Sequence, residues 1–326
     1  MVKVGIIGVG VMGAGHARFI KEHVPGAEVV GLFDIDATKM AALANELGTV
    51  KVQTHDVAEL MNHPEVEAII IASPDPMHVE HLRLAIASKK QTLCEKPIAT
   101  NIEDARTIAE EIRAYEASIG KRMISFGFMR RFDPAYREVK RLIETGDYGQ
   151  PTFFRTITRN VASTGATTPG LYTNIAIHDF DIFRWLFNDE WESVQSHYPR
   201  KSTLSPEGIA DPLIITAFMK SGIMMVGDIV AFNNYGYDAR AEIICEKGSI
   251  EIGINGDVIT RANRMMGAHT GGPMAENWMV RFEQSYIEEL RAWVASVESG
   301  VVNKDLATVE DALAANEVCA LGVASI

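Results

Sequence analysis

Cysteine is scarce in this chain. Cys94, Cys245 and Cys319 are odd in number and far apart. They make neither a disulfide framework nor a cysteine zinc motif, and they suit a reducing cytoplasm. Long apolar runs are missing: stretches such as 68–72 are far too short to span a bilayer. A strand-like run begins at Val2, so no signal peptide is visible. Basic charge is in deficit, with 31 Lys and Arg against 43 Asp and Glu. The resulting net charge of −12 argues against nucleic acid or a membrane surface as partner. No internal repeat and no extended low-complexity segment breaks the 326 residues. What remains is 47% hydrophobic and 23% charged, an ordinary globular composition with room for two domains.

The chain is organised around its start. Gly8, Gly10 and Gly13 form a full G-x-G-x-x-G, entered by a β-prone run (2–7) and left by a helix-like run (12–23). A second apolar run, 28–33, ends in Asp34, roughly 20 residues past the glycines as a dinucleotide site requires. Gly8 permits a tight turn, Gly10 lets backbone approach a pyrophosphate, and Gly13 lets helix and strand pack closely. Backbone at Val11 and Met12 opens the helix whose N-terminus faces the phosphates. Asp34 suits the two ribose hydroxyls of adenosine and repels a 2′-phosphate, which predicts NAD rather than NADP.

The first third alternates strand-like runs (2–7, 28–33, 50–53, 68–72, 92–94, 123–126) with helix-like runs, which predicts a parallel sheet. Ligands of such sheets sit at the carboxyl ends of the strands. Ser73-Pro74 with His78 follows the fourth strand, Glu95-Lys96-Pro97 the fifth, and the run 127–131 the sixth. His78 and His81 lie one helical turn apart, but no third ligand at metal spacing accompanies them, so no metal site is predicted. Lys96, at a strand end beside a nicotinamide, is placed to stabilise a developing alkoxide. Periodicity alone favours a surface lysine before a proline.

These pieces together resemble the glucose–fructose oxidoreductase / inositol dehydrogenase family, Gfo/Idh/MocA. They are Gly8-x-Gly10-x-x-Gly13, Ser73-Pro74 with His78, Glu95-Lys96-Pro97 and Asn174-x-x-x-His178. The segment 127–133, with Tyr235-Gly236-Tyr237-Asp238, is most similar to the inositol 2-dehydrogenases. The resemblance implies an NAD-binding Rossmann domain, a doubly wound parallel sheet. A substrate-binding and oligomerisation domain follows, built as a large, mostly antiparallel open sheet with helices. The residues agree, since the βαβ rhythm stops after Asp133 and hairpin signals take over, among them Lys220-Ser221-Gly222, Glu246-Lys247-Gly248 and Asn255-Gly256. Residues 1–125 and 126–326 are the predicted domains, with a homo-oligomer, tetramer or dimer, as the expected assembly. The stretches 163–170 and 263–277 read either as a lid or interface arm or as ordinary loops.

Asn174, His178 and Asp181 share one face of the helix-like run 172–187, with Asn174 about 40° and Asp181 about 60° from His178. Asp179 points away. Neutral His178 suits a general base that takes the proton of a secondary alcohol while hydride leaves carbon. Lys96 holds the same oxygen. The family pattern has Asp where this chain has Asn174. Three readings stay open: Asp181 supplies the missing carboxylate, Asn174 binds a substrate hydroxyl, or catalysis is crippled. The resemblance also implies substrate contacts from Arg130, Asn160, Asp181 and Tyr237, while Arg130 and Arg131 read equally as structural cations. The expected reaction is NAD-dependent oxidation of a polyhydroxylated small molecule, myo- or scyllo-inositol to the inosose. A pyranose or nucleotide-sugar dehydrogenase and a non-catalytic, cofactor-sensing relative are the alternatives.

Overall fold

The computed structural model describes residues 1–163, 166–253, 256, 258–262, 265–266 and 274–326. Its first sheet contains β1 (Val2–Ile7), β2 (Ala27–Phe33), β3 (Val52–Thr54), β4 (Ala68–Ile71), β5 (Gln91–Glu95) and β6 (Ile124–Gly127). The order is β3-β2-β1-β4-β5-β6, and every pairing is parallel. The crossovers are α1 (Val11–His23), α2 (Ala37–Leu47), α3 (Val57–Asn62), α4 (His78–Ser88) and α5 (Ile102–Ile119). Central strands lack alternation because both faces are covered. Ala68, Ile69, Ile70 and Ile71 are all 0% exposed, and each isoleucine contributes about 1.5–3 kcal/mol by leaving water. The strand order reverses between β1 and β4, where such sheets open a crevice at their carboxyl ends.

A turn of 3₁₀ helix, Met129–Phe132, precedes α6 (Pro134–Glu144), which Asp133 caps by accepting from the Ala135 and Tyr136 N–H groups. The second sheet contains β7 (Pro151–Arg159), β8 (Trp191–His197), β9 (Leu213–Met219), β10 (Met224–Val230), β11 (Asp238–Cys245), β12 (Gly248–Ile252), β13 (Val258–Ala262) and β14 (Met265–Met266). Its order is β14-β13-β12-β11-β7-β10-β9-β8. Only β7 and β10 run parallel, the other neighbours being antiparallel. Between β7 and β8 the chain forms α7 (Thr168–Gly170), a π-helical turn Leu171–Ala176, and α8 (Ile177–Phe187). Phe154 of β7 stacks on Phe183 with centroids 3.9 Å apart, and Trp191 of β8 donates its indole N–H to the Phe180 carbonyl. These aromatics pin α8 to the sheet. The chain ends with α9 (Trp278–Arg281), α10 (Glu283–Ser299) and α11 (Val309–Ala324). No described helix is long and apolar enough to cross a membrane.

Two compact units result: Met1–Met129 with Ser285–Asn316, and Arg130–Gln284 with Glu317–Ile326. The sequence predicts one boundary near residue 125, with everything after it in the second domain. The structure differs, because most of α10 and the first half of α11 pack with the first unit. Tyr286 lies edge-on to His16 and stacked on Phe19 of α1. Ala307 bridges to Phe126 of β6, and Arg122 donates to the Leu306 carbonyl. β8 was not anticipated, because Glu192, Ser193, Gln195 and Ser196 give an edge strand a polar pattern. β13 and β14 were not anticipated either. Asn255 of the expected hairpin turn lies outside the described residues, as do parts of both loop-like stretches, 163–170 and 263–277.

Candidate active site

The glycine loop is shaped by contact. Gly8 has φ +91°, and a Cβ there would lie 2.6 Å from the Ala72 carbonyl oxygen. A Cβ on Gly13 would lie 1.8 Å from the Gly8 carbonyl, so the start of α1 rests directly on the loop. Around Gly10, by contrast, a Cβ would meet nothing within 4 Å. Helices α2, α3, α5 and α6 all begin with an Asp or Asn whose side chain accepts from first-turn N–H groups. α1 has no such cap and no acidic residue in its first turn. Its N–H groups and the open space over Gly10 fit a pyrophosphate. Asp34, half-buried, accepts from the Val9 N–H at 2.7 Å and from the Asp36 N–H at 2.8 Å. It therefore braces the loop as well as suiting a ribose. Val11 is 70% exposed and Ile35 90% exposed, unusual for apolar side chains, and both flank this cradle in the chain. The residues present fit an NAD molecule.

Ser73, His78, Glu95 and Lys96 follow or end β4 and β5, on the same carboxyl edge. Three of them turn inward. The Ser73 hydroxyl bonds His81 Nδ1 at 2.8 Å. His78 is 0% exposed, with Nδ1 2.7 Å from the Pro97 carbonyl and Nε2 2.9 Å from the Ser73 carbonyl. Glu95 Oε1 lies 2.7 Å from His16 Nε2. These side chains, expected at the cofactor, tie the segments after β4 and at the end of β5 to one another and to α1 and α4. Burial pushes the His81 pKa down from its ordinary value. Cys94, wholly buried, has its thiol pKa pushed well up, which leaves it an inert core side chain. Lys96 is half-buried.

In the second unit, Asn174 is exposed on the π turn, and His178 is half-buried on the first turn of α8. A π turn advances by less than 100° per residue, so the simple helical wheel that placed Asn174 beside His178 does not apply across it. Asn174 Nδ2 lies near Gly170, 3.5 Å from where a Cβ would stand there. Asp179 does point away: it accepts from Arg130 Nη1 at 2.5 Å and from the Thr158 hydroxyl at 3.2 Å. Asp181 accepts two bonds from Arg131, Nε at 2.9 Å and Nη2 at 2.5 Å. Arg130, Arg131, Asp179 and Asp181 are at most 2% exposed. Burial alone lowers the Arg130 pKa, but the Asp179 charge, the Tyr136 and Tyr237 phenols and the hydrogen bond to Asp179 together outweigh it, so the guanidinium is held more firmly protonated than usual.

Tyr237 is 4% exposed and edge-on to Phe282, whose ring also lies under Arg130. Its phenol pKa is raised by burial despite Arg130 beside it, as is that of Tyr136, to about 12. The expected substrate contacts at Arg130, Asp181 and Tyr237 are thus buried side chains committed to partners within their own unit. Two Arg–Asp pairs dock α8, and Asp181 spends its charge on Arg131. Asn160 keeps its main chain in the sheet, donating to the Val230 carbonyl and accepting from Asn233, with its residue half-exposed. Local sequence carried no sign of the pairing of consecutive arginines with alternate carboxylates, 49 and 50 residues on.

The family described as "Oxidoreductase family, NAD-binding Rossmann fold" matches residues 2–120, and "GFO/IDH/MocA C-terminal domain" matches residues 136–251. The inositol 2-dehydrogenase of Mycolicibacterium smegmatis is 33% identical over 330 residues, covering 99% of this chain and 93% of that protein. The inositol 2-dehydrogenase of Streptomyces avermitilis is 35% identical over 324 residues, covering 98% and 90%. Among solved structures, the myo-inositol dehydrogenase of Lactobacillus casei, in complex with NAD(H) and myo-inositol, superposes with a TM-score of 0.89 at 29% identity, covering 100% and 94%.

Proposed function

The chain belongs to the Gfo/Idh/MocA oxidoreductases, NAD-dependent enzymes acting on CH–OH groups, and from that premise we propose that its substrate is a cyclitol, myo- or scyllo-inositol. Bound NAD supplies the hydride acceptor. His178 takes the hydroxyl proton as general base, and Lys96 holds the same oxygen and stabilises its charge as the C–H bond breaks. Asn174 lends an amide to a substrate hydroxyl. Arg130, Asp181 and Tyr237 act through α8 rather than by touching substrate.

One observation carries this reading. Glu95-Lys96-Pro97 and His178 are both present in a chain that is 33% identical to an inositol 2-dehydrogenase over nearly its whole length. The partly exposed sheet face, with Phe153, Ile157 and Phe218, supports a homo-oligomer, tetramer or dimer. Three free, buried cysteines support a cytoplasmic setting. Asn174, in place of the family's Asp, is the feature that favours a second reading, a pyranose or nucleotide-sugar dehydrogenase.

The test is NADH absorbance at mildly alkaline pH with inositol isomers and common aldoses, with Lys96→Ala as control. Turnover of inositol that falls steeply, to a measurable residual rate, in Lys96→Ala is the expected result. Preference for an aldose moves the assignment to the second reading. NAD binding without turnover of any substrate, by an enzyme otherwise folded, overturns both and leaves a cofactor sensor.

A further inference from the structure

The loop that carries Lys96 is tied down from three helices. Pro97, Ile98 and Ala99 are buried, so their carbonyls need partners within the protein. Side chains supply those partners for Pro97 and Ala99. His78 on α4 meets the Pro97 carbonyl at 2.7 Å, and Asn316 on α11 donates Nδ2 to the Ala99 carbonyl at 2.7 Å. On the other side of the lysine, His16 on α1 holds the Glu95 carboxylate at 2.7 Å. His16 and His78 are 0% exposed and Asn316 5%. All of these residues belong to the first unit. Through its second nitrogen His78 also reaches the Ser73 carbonyl, 2.9 Å away, so it ties the exit of β4 to the exit of β5. A neutral ring donates to one of these carbonyls at a time and an imidazolium to both.

We propose that His78 is a positioning residue for Lys96, assisted by Asn316 and His16: together they fix the backbone on both sides of the lysine so that its ammonium meets the reacting oxygen. The proposal rests on Lys96 acting on that oxygen, as argued above. A lysine side chain has several rotatable bonds. Its amine is accurate only if its own Cα is immobile, and reaction rate is steep in that distance. The same fastening passes through His16 to α1, the helix that opens at the pyrophosphate cradle.

A double-mutant cycle tests this. His78→Ala, His78→Asn and Asn316→Ala are made in the wild-type and Lys96→Met backgrounds. For each, kcat is measured with the best substrate of the panel, NADH affinity by fluorescence, and Tm by calorimetry. The expected result is that His78→Ala lowers kcat by up to about 100-fold with NADH affinity kept within about twofold. His78→Asn, whose amide can still donate to Pro97, recovers most of the rate. In the Lys96→Met background, where no amine is left to place, His78→Ala changes kcat by less than about twofold. If His78→Ala does not fold, Asn316→Ala completes the same cycle. Equal fold-losses in both backgrounds, or losses that follow NADH affinity or Tm, mark a structural role and overturn the proposal. Full activity of Lys96→Met overturns the proposal together with the reading of Lys96, and only that outcome removes both.

Discussion

The ion pair between Arg130 and Asp179 supports the helix that carries His178, and Arg130→Met tests how much. Methionine keeps much of the volume over Phe282 but removes the charge. Asp179, 0% exposed, is left with the Thr158 hydroxyl at 3.2 Å as its remaining hydrogen bond of those described above. Stranding one charge of a buried pair costs about 3–5 kcal/mol. For a unit of this size, each kcal/mol moves Tm by about 2–4 °C, so a fall of about 6–20 °C is expected. Removing both charges, Arg130→Met with Asp179→Leu, leaves no stranded ion and is expected to recover most of the loss, since buried pairs can be replaced by apolar groups at little cost.

Calorimetry of the two single variants and the double variant measures the cycle, and kcat of the folded fraction reports whether α8 has shifted. Arg130→Met within about 3 °C of wild type would refute the reasoning, because it is well below the fall expected from a stranded charge. Additive losses in the double variant would refute it equally. Either result would mean that the carboxylate finds water or another partner, and that α8 does not depend on this pair.

Gly10→Ala is expected to leave Tm nearly unchanged, because its Cβ meets no protein atom, yet to weaken NAD binding; Gly13→Ala, with a Cβ 1.8 Å from the Gly8 carbonyl, is expected to destabilise the fold itself. Calorimetry and NADH fluorescence on the two variants separate the cases. Asn174→Asp adds a carboxylate to the helix of His178 and favours its imidazolium, so the acid limb of the kcat/KM profile is expected to move to higher pH. An unmoved limb shows position 174 to be electrostatically uncoupled from the histidine. His81 has its pKa lowered by burial, so the unfolded chain takes up protons more readily than the folded one. Its contribution to stability is full above the unfolded value near 6.5 and is lost as pH falls through the lower folded value. His81→Gln is expected to flatten Tm against pH in that window, and a slope equal to wild type disproves the assignment.

The nucleotide half was legible from the residues because its signals are local. A glycine at φ > 0, an apolar run covered on both faces and an acidic residue at the next strand end each carry their meaning within a few positions. The order of β1, β4 and β5 then places Ser73 and Lys96 on the carboxyl edge without further information. The second half was less legible, since β8 is an edge strand with polar residues and the helix before His178 widens into a π turn that a uniform wheel misses.

What the chain's local pattern determined is which residues stand at strand ends and helix starts: Gly8, Gly10, Gly13, Asp34, Lys96 and His178. Tertiary structure alone decided which of their neighbours are free to meet a ligand. It turned His78 and Glu95 inward, locked Arg130 and Asp181 into ion pairs, and brought Asn316 to the loop of Lys96 from 217 residues away. The physical reason is that a buried carbonyl or charge must find a partner, and no rule of spacing along the chain says which distant side chain will provide it.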